Sequence, residues 1–148
     1  MGSNYNFIPS TLTDTAEIQT NIELPIFREL AFDFNTQQLK TKGGQYFYVE
    51  KNEALKIWIW KTLFTSRYTY LAYSTNYGNE IYTLIGRYLA GDLLYSELIR
   101  MIEEALLCNP YIVSLTDFDI TRNGSKVVCN YSVNTIYGNV AQAYSYEV

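Results

Sequence analysis

The chain has 148 residues, 48% of them hydrophobic, and a formal charge of −4, which suits one domain with one apolar core. At this size folding hides roughly 70% of the surface the unfolded chain exposes, so neither a disulfide nor a metal is needed for stability. The acidic balance and the scattered Lys and Arg speak against a phosphate-backbone partner, and no stretch approaches the ~20 apolar residues of a membrane span. Residues 1–24 are polar and aperiodic and read as an extended N-terminal arm, with no basic start or apolar run to make a secretory signal. Ile26 to Phe34 is a mixed strand candidate. Gly43-Gly44 is a turn signal before Tyr46 to Val49, a stronger strand candidate. Asn52 can cap a helix from Glu53. Over Ala54 to Phe64 almost every position is apolar, so a buried strand and a buried helix both fit; length and the cap favour the helix.

Arg67 to Gly78 is tyrosine-rich without helical periodicity and reads as an ordered connection. A short helix from Asn79 to Ile85 would stop at Gly86. Asp92 is placed to cap the clearest helix, with an apolar face of Leu94, Leu98, Met101, Ile102 and Ala105 and its end marked by Pro110. Phe118 and Ile120 alternate with Asp117, Asp119 and Thr121. Asn123-Gly124 is the preferred type I′ dipeptide. Val127, Cys129, Tyr131 and Val133 then share one face of the returning strand, opposite Asn130, Ser132 and Asn134. The division is an arm (1–24), one domain (25–138) and a C-terminal tail (139–148). The fold class is α+β: a small antiparallel sheet with a C-terminal hairpin, packed against two or three helices, with extended arms at both ends.

Histidine is absent and cysteine occurs twice. That removes Ser-His-Asp and Cys-His catalysis and histidine-based metal sites, but not carboxylate chemistry. Cys108 and Cys129 lack ligand spacing and read as buried reduced thiols of a chain made in a reducing cytosol. Glu103-Glu104 and Asp117 with Asp119 are the acidic pairs. Both fall on solvated faces and not across a cleft, and Asp117-x-Asp119 lacks the further oxygen ligands of a calcium loop. No catalytic residue, metal or cofactor is expected. Tyrosine, with 15 residues, is the outlier. It is a good strand former, and it is enriched at interfaces because a rigid apolar body carries a polar tip. The cluster Tyr68, Tyr70, Tyr73, Tyr77 and Tyr82 can be sheet and core packing, a protein contact surface, or a sugar-binding platform.

The run Thr65-Ser66-Arg67-Tyr68-Thr69-Tyr70-Leu71-Ala72-Tyr73-Ser74, then Asn76-Tyr77-Gly78-Asn79-Glu80 and Leu84-Ile85-Gly86, resembles the signature segment of the XkdS-like proteins of phage PBSX-type particles. Glu53-Ala54, the helix Glu97-Leu98 to Leu107 and Val133-Asn134-Thr135-Ile136-Tyr137-Gly138 agree in order. That group is similar to the baseplate wedge proteins, or sheath initiators, of contractile tails. The resemblance implies a structural part without enzymatic activity that sits beside the tail tube and templates the first sheath ring by strand addition. Its partners would be the sheath protein and other baseplate wedge proteins, with no nucleic acid and no membrane insertion. The resemblance also implies several copies, about six, around the tube. It would assemble in the bacterial cytoplasm and end in the baseplate of a virion or tailocin. Where the wider family carries Glu-Pro-Arg, this chain has Asn109-Pro110-Tyr111, so the ion pairing of that motif does not transfer. The interface candidates are Tyr68, Tyr70, Tyr73, Tyr77, Tyr131, Tyr137, Val140, Tyr144, Tyr146 and Val148. The alternative functions are a lysozyme-like cell-wall hydrolase and a tyrosine-rich carbohydrate- or peptide-binding module.

Overall fold

Local turn chemistry shapes the first described segment of the chain. The structure is a computed structural model that describes residues 23–87 and 89–147. Nearly all of the expected N-terminal arm, and Val148, lie outside the described residues. Strands β1 (Arg28–Leu30), β2 (Phe32–Asp33), β3 (Gln38–Leu39), β4 (Thr41–Lys42), β5 (Gln45–Tyr46) and β6 (Tyr48–Glu50) fold into a narrow ribbon. β1 pairs antiparallel with β6, β2 with β3 and β4 with β5. Gly43 and Gly44 form the two-residue loop between β4 and β5, both at positive φ (60° and 79°), the type I′ pattern that glycine adopts without steric cost. Ala31 is buried and breaks the expected strand 26–34 into β1 and β2.

The ambiguous apolar stretch is a helix, α1 (Lys51–Phe64). Asn52 is not its cap. Glu50 holds the capping position, and Asn52 lies inside the first turn. Its side chain reaches across the fold instead: the Oδ1 lies 2.7 Å from the Thr135 hydroxyl, and the Nδ2 donates to the Tyr137 carbonyl at 3.4 Å. A tertiary partner has taken the group that a local cap would have used. The expected short helix shrinks to one 3₁₀ turn at Ile81–Leu84, and Gly86 follows at φ 75°.

α2 (Gly91–Leu106) carries the expected apolar face, with Leu98, Ile102, Ala105 and Leu106 fully buried. It starts one residue before Asp92, with Ala90 at the cap and no side-chain capping bond. Asp92 sits in the first turn, where a carboxylate still suits the helix dipole. Cys129 is buried as expected, but Cys108 is exposed, in the short turn between the end of α2 and buried Asn109.

The C-terminal third is a three-stranded antiparallel meander of β7 (Ile112–Asn123), β8 (Lys126–Thr135) and β9 (Gly138–Glu147), with β8 in the centre. Asn123 pairs with Lys126, so the loop residues are Gly124 and Ser125, not Asn123 and Gly124. Only Gly124 has positive φ (62°), as in a type II′ turn. The larger correction concerns residues 139–147, expected as a tail. They form β9 and pair with β8 from Thr135↔Gly138 to Lys126↔Glu147. Val140 and Tyr146 from β9 join Val127, Cys129, Tyr131 and Val133 from β8 among the buried residues. The α+β class holds, with a meander in place of a hairpin and free tail.

Candidate protein interface

The tyrosine-rich segment is a loop clamped at its base. The Arg67 N–H donates to the Asn79 carbonyl (2.8 Å), and the Asn79 N–H donates to the Thr65 carbonyl (2.9 Å). The Asn79 side chain, buried at the end of α1, donates to the carbonyls of Thr62, Leu63 and Thr65 at 3.2, 2.7 and 3.1 Å, adding to the backbone donors that Thr62 and Thr65 already have. Its Oδ1 accepts the Ile81 N–H at 2.8 Å and starts the 3₁₀ turn. Gly78, at φ 96°, passes so close to the end of α1 that an added Cβ would lie 2.7 Å from the Thr65 carbonyl oxygen.

Arg67 is the second clamp. It is 6% exposed, and its Nη1 lies 2.7 Å from Glu104 and 3.6 Å from Glu80, while its Nη2 donates to the Gly78 carbonyl at 3.2 Å. Burial works against the guanidinium charge, but the hydrogen bond and the charge of Glu104 outweigh it and raise the pKa further. The Arg67 hydrogen bond in turn holds the Glu104 carboxyl below its ordinary range.

The clamp lifts uncharged side chains into solvent. Tyr68, Tyr70 and Tyr73 are all more than half exposed, and Leu71 is fully exposed. Tyr68 also has a φ of 64°, a conformation rare for a bulky residue and most common where surrounding structure imposes it. Tyr70 and Tyr73 meet edge to face at 6.0 Å, and Tyr73 lies 4.7 Å from Tyr77. Tyr77 is half-buried against Trp58, and burial raises its phenol pKa.

The other expected interface residues lie elsewhere. Tyr131 stacks on Phe118 inside the sheet–helix layer, and Tyr131 and Tyr146 are core side chains whose hydroxyls have no hydrogen-bond partner among the described residues. Val140 is buried opposite Val133 of β8. Tyr144 is partly buried, and burial pushes its phenol up to about 12. Tyr137 stacks with Tyr111, and its hydroxyl accepts the Phe27 N–H at 3.0 Å. Tyr111, in the stretch that replaces Glu-Pro-Arg, donates its hydroxyl to the Pro25 carbonyl at 2.8 Å. In this chain that stretch anchors the incoming N-terminal segment.

A second surface needs no particular side chain. β9 pairs only with β8, so its outer side is a sheet edge among the described residues. Its register on β8 runs without a shift over its whole length. The opposite edge, β7, has register shifts at Ile112/Ser114 and at Thr116/Asp119, the second with Asp117 at φ 57°. Bulges of this kind protect an edge, while β9 has no bulge, proline or lysine to do so. The acidic pairs stay apart: Asp117, Asp119 and Glu104 are exposed, with Glu103 partly so, and no group of three metal-ligating side chains occurs among the described residues.

A family model described as the contractile injection system sheath initiator matches residues 28–138, and the chain belongs to that family. It is a structural component of a contractile injection system, of the kind found at the baseplate. The chain is also similar to the phage-like element PBSX protein XkdS of Bacillus subtilis (strain 168), at 34% identity over 89 residues. That similarity covers 60% of this chain and 63% of the relative, just under two thirds of its length. Within the described residues no helix is long and apolar enough to cross a membrane.

Proposed function

We propose that this chain templates the first sheath ring by offering the outer edge of β9 to a strand of a sheath subunit. The observation that carries this reading is the contrast between the two edges of the meander. β7 is interrupted twice, while β9 is regular along its full pairing with β8. An edge strand presents unpaired N–H and C=O groups that an extended partner segment can satisfy, and regular spacing is what such pairing requires. Small uncharged side chains at Ala141, Ala143 and Ser145 are exposed along it and leave room for a neighbour.

The loop tip of Tyr68, Tyr70, Leu71 and Tyr73 would meet a neighbouring wedge protein of the baseplate, since rigid tyrosines give contact area at low entropic cost. In this reading several copies, about six, surround the tail tube under cyclic symmetry. The chain acts without catalysis, assembles in the bacterial cytoplasm and ends in a virion or tailocin baseplate.

The test is seeding of purified sheath protein, followed by electron microscopy. N–H groups alternate sides along an antiparallel strand, so of Gln142→Pro and Ala143→Pro one removes an outward donor and spares the β8 ladder. Circular dichroism identifies which variant stays folded. That variant should seed few or no sheaths. Seeding at the level of the unaltered chain would show that the β9 edge is not the template.

A further inference from the structure

Helix α1 is apolar around nearly its whole circumference. Ala54, Leu55, Ile57, Ile59 and Leu63 are buried, as a core side should be. Trp60 and Phe64, four residues apart on another face, are not: Trp60 is only partly buried and Phe64 is 60% exposed. A helix that is apolar all round is normally covered all round.

The two rings belong to a longer row. Trp60 and Phe64 stack at 4.5 Å between centroids. Phe32 and Phe34 of the ribbon segment stand 4.7 and 6.0 Å from Trp60, and Phe34 is 44% exposed. At the other end Phe64 lies 6.3 Å from Tyr144 of β9. The row therefore runs from the β2 segment across α1 to the edge strand, without a charge in it. α1 and β9 also run alongside one another. Asn52 lies 3.9 Å from the position of a Cβ on Gly138, while Phe64 meets Tyr144. The ~20 Å rise of the fourteen-residue helix matches the length of strand between those points.

A strand added to β9 would lie about 4.8 Å beyond it, over the side of α1 that carries Trp60 and Phe64. We propose that this aromatic row is a shelf that reads the inward side chains of the incoming strand. The occupant is an extended partner segment with large apolar residues at alternate positions, since alternation puts them all on the ring side. Near the start of β9 the same border is polar: Asn52, Glu53 and Lys56 line a hollow of about 430 Å³ with Asn139, Val140 and Ala141. The segment is therefore apolar beside Tyr144 and polar beside Asn139. This inference rests on strand addition at β9 and adds the chemistry of the strand.

Two synthetic peptides of about ten residues and equal composition test it, one alternating apolar and polar residues, the other with the apolar residues in one block. Binding to the full chain is followed by tryptophan fluorescence. The alternating peptide should bind about tenfold more tightly, and Phe64→Ser should remove that preference. Phe34→Ser repeats the test should Phe64→Ser fail to fold by circular dichroism. If both serine variants keep the preference while the folded proline variant of β9 loses binding, the shelf is overturned and strand addition stands. If the proline variant binds the peptide as well as the unaltered chain does, strand addition fails and the shelf with it. No binding of either peptide, or burial of the rings in a dimer of this chain, also overturns the shelf.

Discussion

The C-terminal meander and the tyrosine loop, the two contact surfaces proposed above, are held in opposite ways. The meander is fixed by apolar burial: α2 lays Leu94, Leu98, Ile102, Ala105 and Leu106 in the same core as Val127, Cys129 and Val133 of β8. Each side chain there can be replaced only at the cost of packing, yet the edge it offers is backbone and carries no side-chain identity. The loop is fixed by polar clamps, Arg67 on Glu104 and Asn79 on three carbonyls, and it offers side chains. A rigid core is suited to templating a regular lattice. A clamped loop is suited to recognising one particular neighbour.

Truncation after Gly138 is the harshest way to break the meander. It removes the β8–β9 ladder together with buried Val140 and Tyr146. The loss should exceed about 5 kcal/mol, which is of the order of a whole domain's stability, so circular dichroism should show an unfolded chain. Leu98→Ala comes next, since Leu98 is fully buried; urea unfolding should show a loss of about 2–5 kcal/mol.

Breaking the loop should cost less and stay local. Asn79→Ala takes the amide donor from the Leu63 carbonyl and a second donor from those of Thr62 and Thr65, and Gly78→Ala meets the Thr65 carbonyl. Each should cost about 1–3 kcal/mol and open residues 66–79 to limited proteolysis while the core stays folded. Acid should loosen the same loop. The folded pKa of Glu104 is lowered by Arg67, so the stability it contributes is present above the ordinary glutamate pKa. It is lost as pH falls through the lowered value. Because Glu104 is 51% exposed, the effect should stay below about 1 kcal/mol, seen as faster loop cleavage at low pH and absent in Glu104→Gln. Leu71→Ser should change stability by less than about 0.5 kcal/mol, because that side chain touches solvent alone. Its effect should appear only in co-purification with a neighbouring baseplate protein.

What was legible in the sequence was periodic. The heptad-like spacing of Leu94, Leu98, Met101, Ile102 and Ala105 marks α2, and the alternation of Val127, Cys129, Tyr131 and Val133 marks the inner face of β8. A period is a property of neighbouring residues, so the chain carries it without knowledge of the fold. The signature run from Thr65 to Glu80 was legible as a resemblance, though not as a loop whose base is clamped. Three features escaped the sequence because their partners are distant along the chain. Asn52 reads as a cap until Thr135 and Tyr137 stand beside it. Residues 139–147 read as a tail because Val140, Gln142, Tyr144 and Tyr146 alternate only weakly in hydrophobicity, and their inward side became apolar once β8 and α1 covered it. The exposure of Trp60 and Phe64 could not be read from a helix that carries apolar side chains on nearly every side. Local propensity and pattern chose the elements, and non-local packing decided which edge of the sheet and which rings beside it are left open among the described residues.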